Sequence, residues 1–351
     1  MKDRSARILA ILLALCLLVP LWAVAETGGD TVDILFLGTS DVHGQLYATN
    51  YTVDVGQSGQ YQQGMTRVAT YVEEMREKYD NVFLGDSGDL VQGTPLTYYY
   101  AFYQPQAEDP AAKALRMMDY DLFVAGNHEF NYGLEILRRQ LDYLTSEPTE
   151  QEDQVWVSMA NYLDEATNGE ETKDWATWNG YDPYRVFDYD GVKVAVMGIG
   201  NPNIPKWDVP ANWEGIYFAG VIDTYKHYEE EMDAASDLIV LYSHSGIDSD
   251  AESDFIRSLI EQTDTIDLVF AGHEHLNAVT EITDAAGDTV PVVSPNTKCS
   301  VLGQALVTYD KGDDTFTITA ENVDMKDYPV DAELEEALRP YEEAAWDEYM
   351  L

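Results

Sequence analysis

The sequence predicts an α/β chain folded as a four-layer α-β-β-α sandwich, two mixed sheets flanked by helices. Three observations lead there. Apolar strand-like runs alternate with amphipathic helical stretches from Val32 to Phe270. After Gly272 only short strands follow. Polar motifs rich in Asp and His stand directly behind five of the apolar runs, where an open α/β sheet presents the carboxyl ends of its strands.

The five runs are Ile34–Leu37, Val82–Leu84, Leu122–Ala125, Leu238–Tyr242 and Ile266–Ala271. Gly64–Tyr79 reads as a helix, with Met65, Val68, Ala69, Val72 and Met75 on one face. Asp109–Met118, Gly133–Tyr143, Ile222–Ala235 and Ala251–Gln262 read similarly. Val186–Phe187 and Val192–Ile199 form a hairpin around Asp190-Gly191, a favoured tight-turn pair. The β-rich end comprises Ala278–Ile282, Thr289–Val293, Val301–Tyr309 and Thr315–Glu321. Thr145–Asp153 and Leu163–Asp182 are acidic, turn-rich and read as exposed insertions. Ala332–Tyr349 is an acidic helical pattern built on Leu334, Leu338, Tyr341 and Ala345, with little after it to pack against.

Residues 1–25 read as a signal peptide. Lys2, Arg4 and Arg7 precede an apolar run from Ile8 to Val19, and Ala23-Val24-Ala25 supplies small residues for cleavage. The run is shorter than the ~20 residues a membrane span needs, so export without stable membrane insertion is expected. Cys16 is not read as a lipid-bearing cysteine, because Leu15 precedes it where a small residue is required. Beyond it only Cys299 remains, which permits no intramolecular disulfide. The rest divides into one catalytic body over residues 30–325 and a helical tail over 326–351.

The chain carries 64 acidic against 20 basic residues, a formal charge of −44. Removal of the signal segment takes this to about −46. Such a field repels polymeric nucleic acid and anionic lipid. It disfavours small phosphate esters too, unless metal charge reverses the potential within a site.

Histidine is scarce, and five of the six occur in the motifs behind the strands. These are Asp41-Val-His43, Gly88-Asp89-Leu-Val-Gln-Gly93, Gly126-Asn127-His128-Glu129, Ser243-His244-Ser-Gly246 and Gly272-His273-Glu-His275. Carboxylate oxygen and imidazole nitrogen together suit Zn, Mn, Fe or Co better than Ca. Asp89, in a glycine-flanked turn, has two oxygens with which to bridge two cations. Asn127 offers a neutral amide oxygen, and His244, His273 and His275 offer nitrogens. Two cations roughly 3.5–4 Å apart would trap a hydroxide and clamp a phosphoryl oxygen for in-line displacement. His128 would remain free to stabilise the transition state or protonate the leaving oxygen. The sixth histidine, His227, lies on a predicted helix among Tyr225, Tyr228 and Glu229 and reads as a surface residue.

With these motifs in this order, the chain resembles the calcineurin-like metallophosphoesterase superfamily. Within it, the chain is similar to the exported 5′-nucleotidase and 2′,3′-cyclic-nucleotide 2′-phosphodiesterase/3′-nucleotidase group. The likeness runs from about Val32 to Tyr309. It also takes in Thr94-Pro95-Leu96 with Tyr98–Tyr100, Asn203-Ile-Pro-Lys-Trp207, and Trp213-Glu-Gly215. The resemblance implies the metallophosphoesterase fold and two divalent ions (Mn, Zn, Fe, Co or Mg, with no choice among them). It assigns Asp41, His43, Asp89 and His275 to one ion. Asp89, Asn127, His244 and His273 fall to the other, with His128 catalytic. Asp86 competes with Asp89 for the bridge, since Gly85-Asp86 also fits Gly-Asp. Asp89 is preferred because the Gln-Gly-Thr-Pro context is registered to it.

Position 131 separates the branches. The 5′-nucleotidases usually carry Asp there to orient the catalytic histidine, whereas Asn131 is usual in the cyclic-nucleotide branch. An amide holds an imidazolium less well, which suits a strained cyclic phosphate. The Gly-His-Glu-His close points the same way. Two departures stand out. Relatives continue into a second domain that sandwiches the nucleobase, and residues 326–351 read as the start of it. The segment Pro295–Gly303 lacks the family's glycines until Gly303.

The expected function is therefore a secreted dinuclear hydrolase of nucleotides or other small phosphate esters, foremost 2′,3′-cyclic nucleotides. A 5′-nucleotidase or broad phosphomonoesterase is the enzymatic alternative. A metal- or nucleotide-binding remnant is the non-enzymatic one. Whether a partner domain acts in trans is left open.

Overall fold

The computed structural model describes residues 31–49, 62–104, 108–168, 173–248 and 255–350. The expected signal segment and residues 251–254 of the helix expected at Ala251–Gln262 lie outside them. The first sheet holds β1 (Thr31–Thr39), β2 (Val82–Asp86), β3 (Leu122–Phe123) and β4 (Trp156–Val157), all parallel. Between these and the second sheet in the chain comes β5 (Tyr162–Asp164). Then follow β6 (Tyr184–Tyr189), β7 (Val192–Ile199), β8 (Ile216–Phe218), β9 (Leu238–Ser243) and β10 (Leu268–Ala271). The chain finishes its strands with β11 (Asn277–Thr283), β12 (Thr289–Pro295), β13 (Val301–Asp310) and β14 (Thr315–Asp324). The two six-stranded sheets run β14-β13-β1-β2-β3-β4 and β11-β12-β10-β9-β7-β6, and β5 pairs with β8 in a small ribbon.

Among the described residues the helices are α1 (Met65–Lys78), α2 (Pro95–Phe102), α3 (Pro110–Met117), α4 (Leu134–Leu144), α5 (Ile204–Trp207), α6 (Val221–Ala235), α7 (Ile256–Ile260) and α8 (Ala332–Ala345). Alternation along the strands assigns each sheet two partners. Val32, Ile34 and Phe36 of β1 meet Val192, Val194 and Val196 of β7 in a core between the sheets. Leu35 and Leu37 turn instead to α1–α4 and α8. Ala195, Met197 and Ile199 turn to α6 and α7. Both faces of the central strands are thus covered, which is why those strands read as near-continuous apolar runs, while β6, β11 and β14 at the edges carry exposed positions.

The sheets approach closely above the site. Tyr242 and Phe270 stack at 4.7 Å between them, and Tyr242 Oη donates to the Leu37 carbonyl at 2.8 Å. A Cβ on Gly38 would stand 2.4 Å from Phe270, so only glycine fits.

The structure departs from the sequence reading at several places. Leu163–Asp182 is not simply an exposed insertion, since Leu163 and Trp178 are buried and β5, which enters it, pairs with β8. Thr145–Asp153 is exposed as expected, though anchored by the buried Arg116, which donates to the carbonyls of Tyr143, Glu147 and Asp153. The α2 helix was not anticipated, although Thr94 caps it and Pro95 begins it. Strand β4 was missed for its brevity. The C-terminal helix is docked: Asp331 caps it, and Leu334, Leu338 and Ala345 enter the same core as α1–α4. A π-helical turn, Trp346–Met350, follows, in which Glu348 accepts from Tyr99 Oη at 2.6 Å.

Candidate metal centre

Strands β1, β2, β3, β9 and β10 all deliver their motifs at their carboxyl ends. The loops after β1 and β2 are zipped together, with Asp41 N–H donating to Gly88 O at 2.8 Å and His43 N–H to Asp89 O at 2.9 Å. The residues so held adopt costly backbone shapes. Asp41, His43, Asp89, His273 and His275 all have positive φ, between 50° and 80°. A left-handed L-residue costs roughly 1–2 kcal/mol, and such residues persist where the surroundings over-determine them, commonly at functional sites. Gly126 makes room: a Cβ there would lie 2.4 Å from Asp89 Oδ1.

Two donor groups result. In the first, Asp41 Oδ1 lies 3.1 Å from His275 Nε2 and 4.0 Å from His43 Nε2, and the two imidazole nitrogens are 3.0 Å apart. In the second, Asp89 joins His244 and His273, with Asp89 Oδ2 3.0 Å from His244 Nε2. Asn127 adjoins this group through Oδ1, 2.9 Å from His273 Nδ1. Either group could hold a metal ion.

The atoms themselves fit a cation. Asp41 Oδ1 and His244 Nε2 are buried without a directed hydrogen-bond partner, the latter despite its closeness to Asp89. His43 Nδ1 donates to the Gln92 carbonyl and His244 Nδ1 to the Ser87 carbonyl, each at 2.6 Å. That fixes a proton on each Nδ1 and turns each Nε2 inward, the usual device behind metal-bound imidazole. Burial, aided by neighbouring His244, pushes His273 down to about 4, and burial also lowers His43. Both are therefore neutral, as ligation requires. For His244 burial acts downward, but the Asp89 carboxylate more than reverses it and raises the ring to about 10. Burial opposes ionisation of Asp89 in turn, yet His244 holds it below the usual carboxylate range. Asp89 thus demands a positive partner, which a cation supplies as well as a proton does.

Asp86 stands apart from both groups. It accepts from Thr39 Oγ1 at 2.6 Å and from Gly88 N at 2.9 Å, and burial pushes it up to about 8. His128 lies beside the groups, its Nε2 3.9 Å from Asp89 Oδ2 and its backbone N–H donating to Asp89 Oδ1 at 2.7 Å. Its Nδ1 is 2.6 Å from Asn131 Oδ1. His227 is far from them, stacked on Trp175 at 4.3 Å. The glycine-poor segment still reaches the site, where Thr297 Oγ1 and Lys298 N–H both donate to the Asp41 carbonyl at 2.8 Å.

Sequence reasoning passed over one contributor in plain view. Glu129, the last residue of the Asn-His-Glu motif, is buried and its carboxylate ties two loops together. Oε2 accepts from the N–H groups of Asp89 at 2.9 Å and Gly126 at 2.6 Å, and Oε1 from Leu90 at 2.6 Å. Only its place beside His128 in the motif hinted at it; its burial, which makes the hydrogen bonds obligatory, comes from the fold.

Residues 34–277 match the family model of the calcineurin-like phosphoesterases. The chain is 27% identical to the Trifunctional nucleotide phosphoesterase protein YfkN of Bacillus subtilis, over 88% of this chain and 22% of that protein. It is 30% identical to the 2′,3′-cyclic-nucleotide 2′-phosphodiesterase/3′-nucleotidase of Yersinia enterocolitica, over 75% of this chain and 40% of that protein. The chain thus spans well under half the length of these two relatives. Its fold is that of the crystal structure of calcineurin-like phosphoesterase YfkN from Bacillus subtilis. The TM-score is 0.72 at 22% identity, covering 90% of this chain and 98% of that one.

Proposed function

Because this chain belongs to the calcineurin-like phosphoesterase family, we propose that it is a dinuclear metal-dependent phosphoric ester hydrolase acting on nucleotides. Its preferred reaction opens 2′,3′-cyclic nucleotides, with release of the remaining 3′-phosphate afterwards. The observation that carries this reading is the position of His128. It faces the same space as the donor groups, 3.9 Å from Asp89, yet belongs to neither group. A site that only stored metal would have no use for it.

Asp41, His43 and His275 would hold one ion and His244, His273 and Asn127 the other, with Asp89 available to both. When bound, such ions neutralise phosphoryl charge and let water act as a nucleophile at neutral pH. The chain's own groups do the rest. The Gln92 and Ser87 carbonyls keep His43 and His244 turned inward. Glu129 keeps the Asp89 loop in place. His128 Nε2 delivers a proton to the departing oxygen. Asn131, an amide where a carboxylate would bind imidazolium more tightly, favours a substrate whose ring strain already assists departure.

Export is supported by the pattern of residues 1–25. Among the described residues no helix is long and apolar enough to cross a membrane.

The test is phosphate-ester release from bis(p-nitrophenyl) phosphate with and without Mn²⁺, followed by comparison of 2′,3′-cyclic AMP with 5′-AMP. Metal-dependent release with the cyclic substrate preferred is expected. No release under any metal would defeat the enzymatic reading, and a tenfold preference for 5′-AMP would move the chain to the 5′-nucleotidase branch.

A further inference from the structure

The loop between β7 and β8 leans on the site at two successive residues. Trp207 stacks on His273 at 5.2 Å, and Asp208 follows at the end of α5. Asp208 Oδ1 is engaged locally, accepting from Val209 N at 2.7 Å and Asn212 Nδ2 at 2.8 Å. Oδ2 is turned to Asn131, whose Nδ2 donates to it at 3.1 Å. The other end of that amide, Oδ1, is the atom 2.6 Å from His128 Nδ1. Resting on the assignment of His128 as proton donor, we infer that Asp208 is a positioning residue for the reaction, fixing the tautomer and aim of His128 through the Asn131 amide.

Hydrogen-bond polarity sets the orientation of Asn131. A carboxylate oxygen accepts and cannot donate, so it selects the NH₂ end of Asn131. The carbonyl end then faces His128 and pairs only with an N–H. Imidazolium His128 consequently keeps its Nδ1–H on Asn131 and aims its Nε2–H, the proton to be delivered, toward Asp89 and the donor groups; the neutral ring left after delivery carries its proton on Nδ1. An amide left to itself has no such preference, because either end can meet an imidazole nitrogen of matching tautomer. A carboxylate at position 131 would select the tautomer unaided. A chain with Asn131 needs a third residue to remove the ambiguity, and the Asn203–Gly215 stretch supplies it.

Asp208→Asn tests this without dismantling the loop, since Oδ1 can still serve Val209 and Asn212. The new NH₂ group can only donate to Asn131, which must invert and present its own NH₂ to His128. With Mg²⁺-loaded protein we expect kcat on 2′,3′-cyclic AMP to fall on the order of 10-fold or more, as for other outer-shell orienting groups. KM and metal content should stay within twofold, and the loss should be smaller on bis(p-nitrophenyl) phosphate. In ¹⁵N-histidine-labelled protein, the His128 signals, assigned by their loss in His128→Ala, should move from the Nδ1–H to the Nε2–H tautomer. The double variant Asn131→Asp/Asp208→Asn should recover both rate and tautomer, because the new carboxylate at 131 accepts from both neighbours. A normal rate in Asp208→Asn alongside a slow His128→Ala, or an Nε2–H tautomer in the unaltered protein, overturns the role of Asp208 and leaves the hydrolase standing. Full activity in His128→Ala overturns both.

Discussion

His43 Nε2 and His275 Nε2 face one another across 3.0 Å, with Asp41 Oδ1 3.1 Å from the second. The first is a lone pair, because His43 gives its proton to Gln92 at Nδ1. The Asp41 carboxylate beside it raises His275, so a proton can sit in this gap. A divalent ion satisfies the same three atoms more fully. Chelation should therefore lower the melting temperature, and Mn²⁺ or Zn²⁺ should restore it. At a hundredfold excess over Kd the gain is about 2.7 kcal/mol. An unchanged melting temperature on chelation of metal-loaded protein counts against both ions.

Asp89→Asn should remove most bound metal and nearly all turnover, because Asp89 is the carboxylate held against His244 and His128. Asp86→Asn should retain metal, since that carboxyl is taken up by Thr39 and Gly88. Elemental analysis with the two results exchanged would transfer the bridging role to Asp86.

His128→Ala should keep two metals and lose ~10²–10⁴-fold in rate, the usual share of a positioned acid or base. The loss should be larger on cyclic nucleotides than on p-nitrophenyl esters, whose phenolate departs with little need of a proton. Equal losses on both would show that His128 acts by holding the phosphoryl group instead.

Glu129→Gln keeps shape but turns an NH₂ toward backbone N–H groups that now share two carboxylate oxygens. At a site 1% exposed, an unsatisfied donor costs roughly 1–3 kcal/mol. The urea midpoint should fall accordingly, and metal affinity about 10–100-fold through the displaced Asp89 loop. Unchanged metal affinity would reduce Glu129 to a local packing role.

Burial pushes Asp121 up to about 6, although its Oδ2 accepts from Leu84 N at 2.8 Å. A folded-state value above the unfolded ~3.9 means that folding favours the protonated form. Its contribution is fully present below about pH 4 and is lost as pH rises through about 6. Asp121→Asn keeps the acceptor and removes the charge, so its stability advantage over the parent should grow between pH 4 and 7. Parallel stability curves for the two proteins across that window would exclude the effect.

Much of this protein was written in local pattern. Strand runs were legible because the central strands are covered on both faces, which forces Ile34–Leu37 and Leu238–Tyr242 to be apolar throughout. The donor residues were legible because each follows a strand end within a few positions, so identity and order sufficed to nominate them. Helix α1 declared itself by its 3.6-residue stripe, whereas α2, apolar on nearly every side, has no period to read.

What the sequence determined by itself, then, was the sandwich, the eight candidate site residues and the chemistry their donor atoms permit. Tertiary structure decided which donors share a group, since Asp41 meets His275 and Asp89 meets His244 across 234 and 155 positions only because the two sheets abut. It also separated Asp89 from Asp86, which are alike in sequence and differ in which way a left-handed turn points them. The clamp at Glu129, the docking of α8 and the reach of Asp208 to Asn131 were likewise invisible in the chain. Each depends on hydrogen bonds or contacts whose direction is set by packing, and no local spacing encodes the angle at which two distant loops meet.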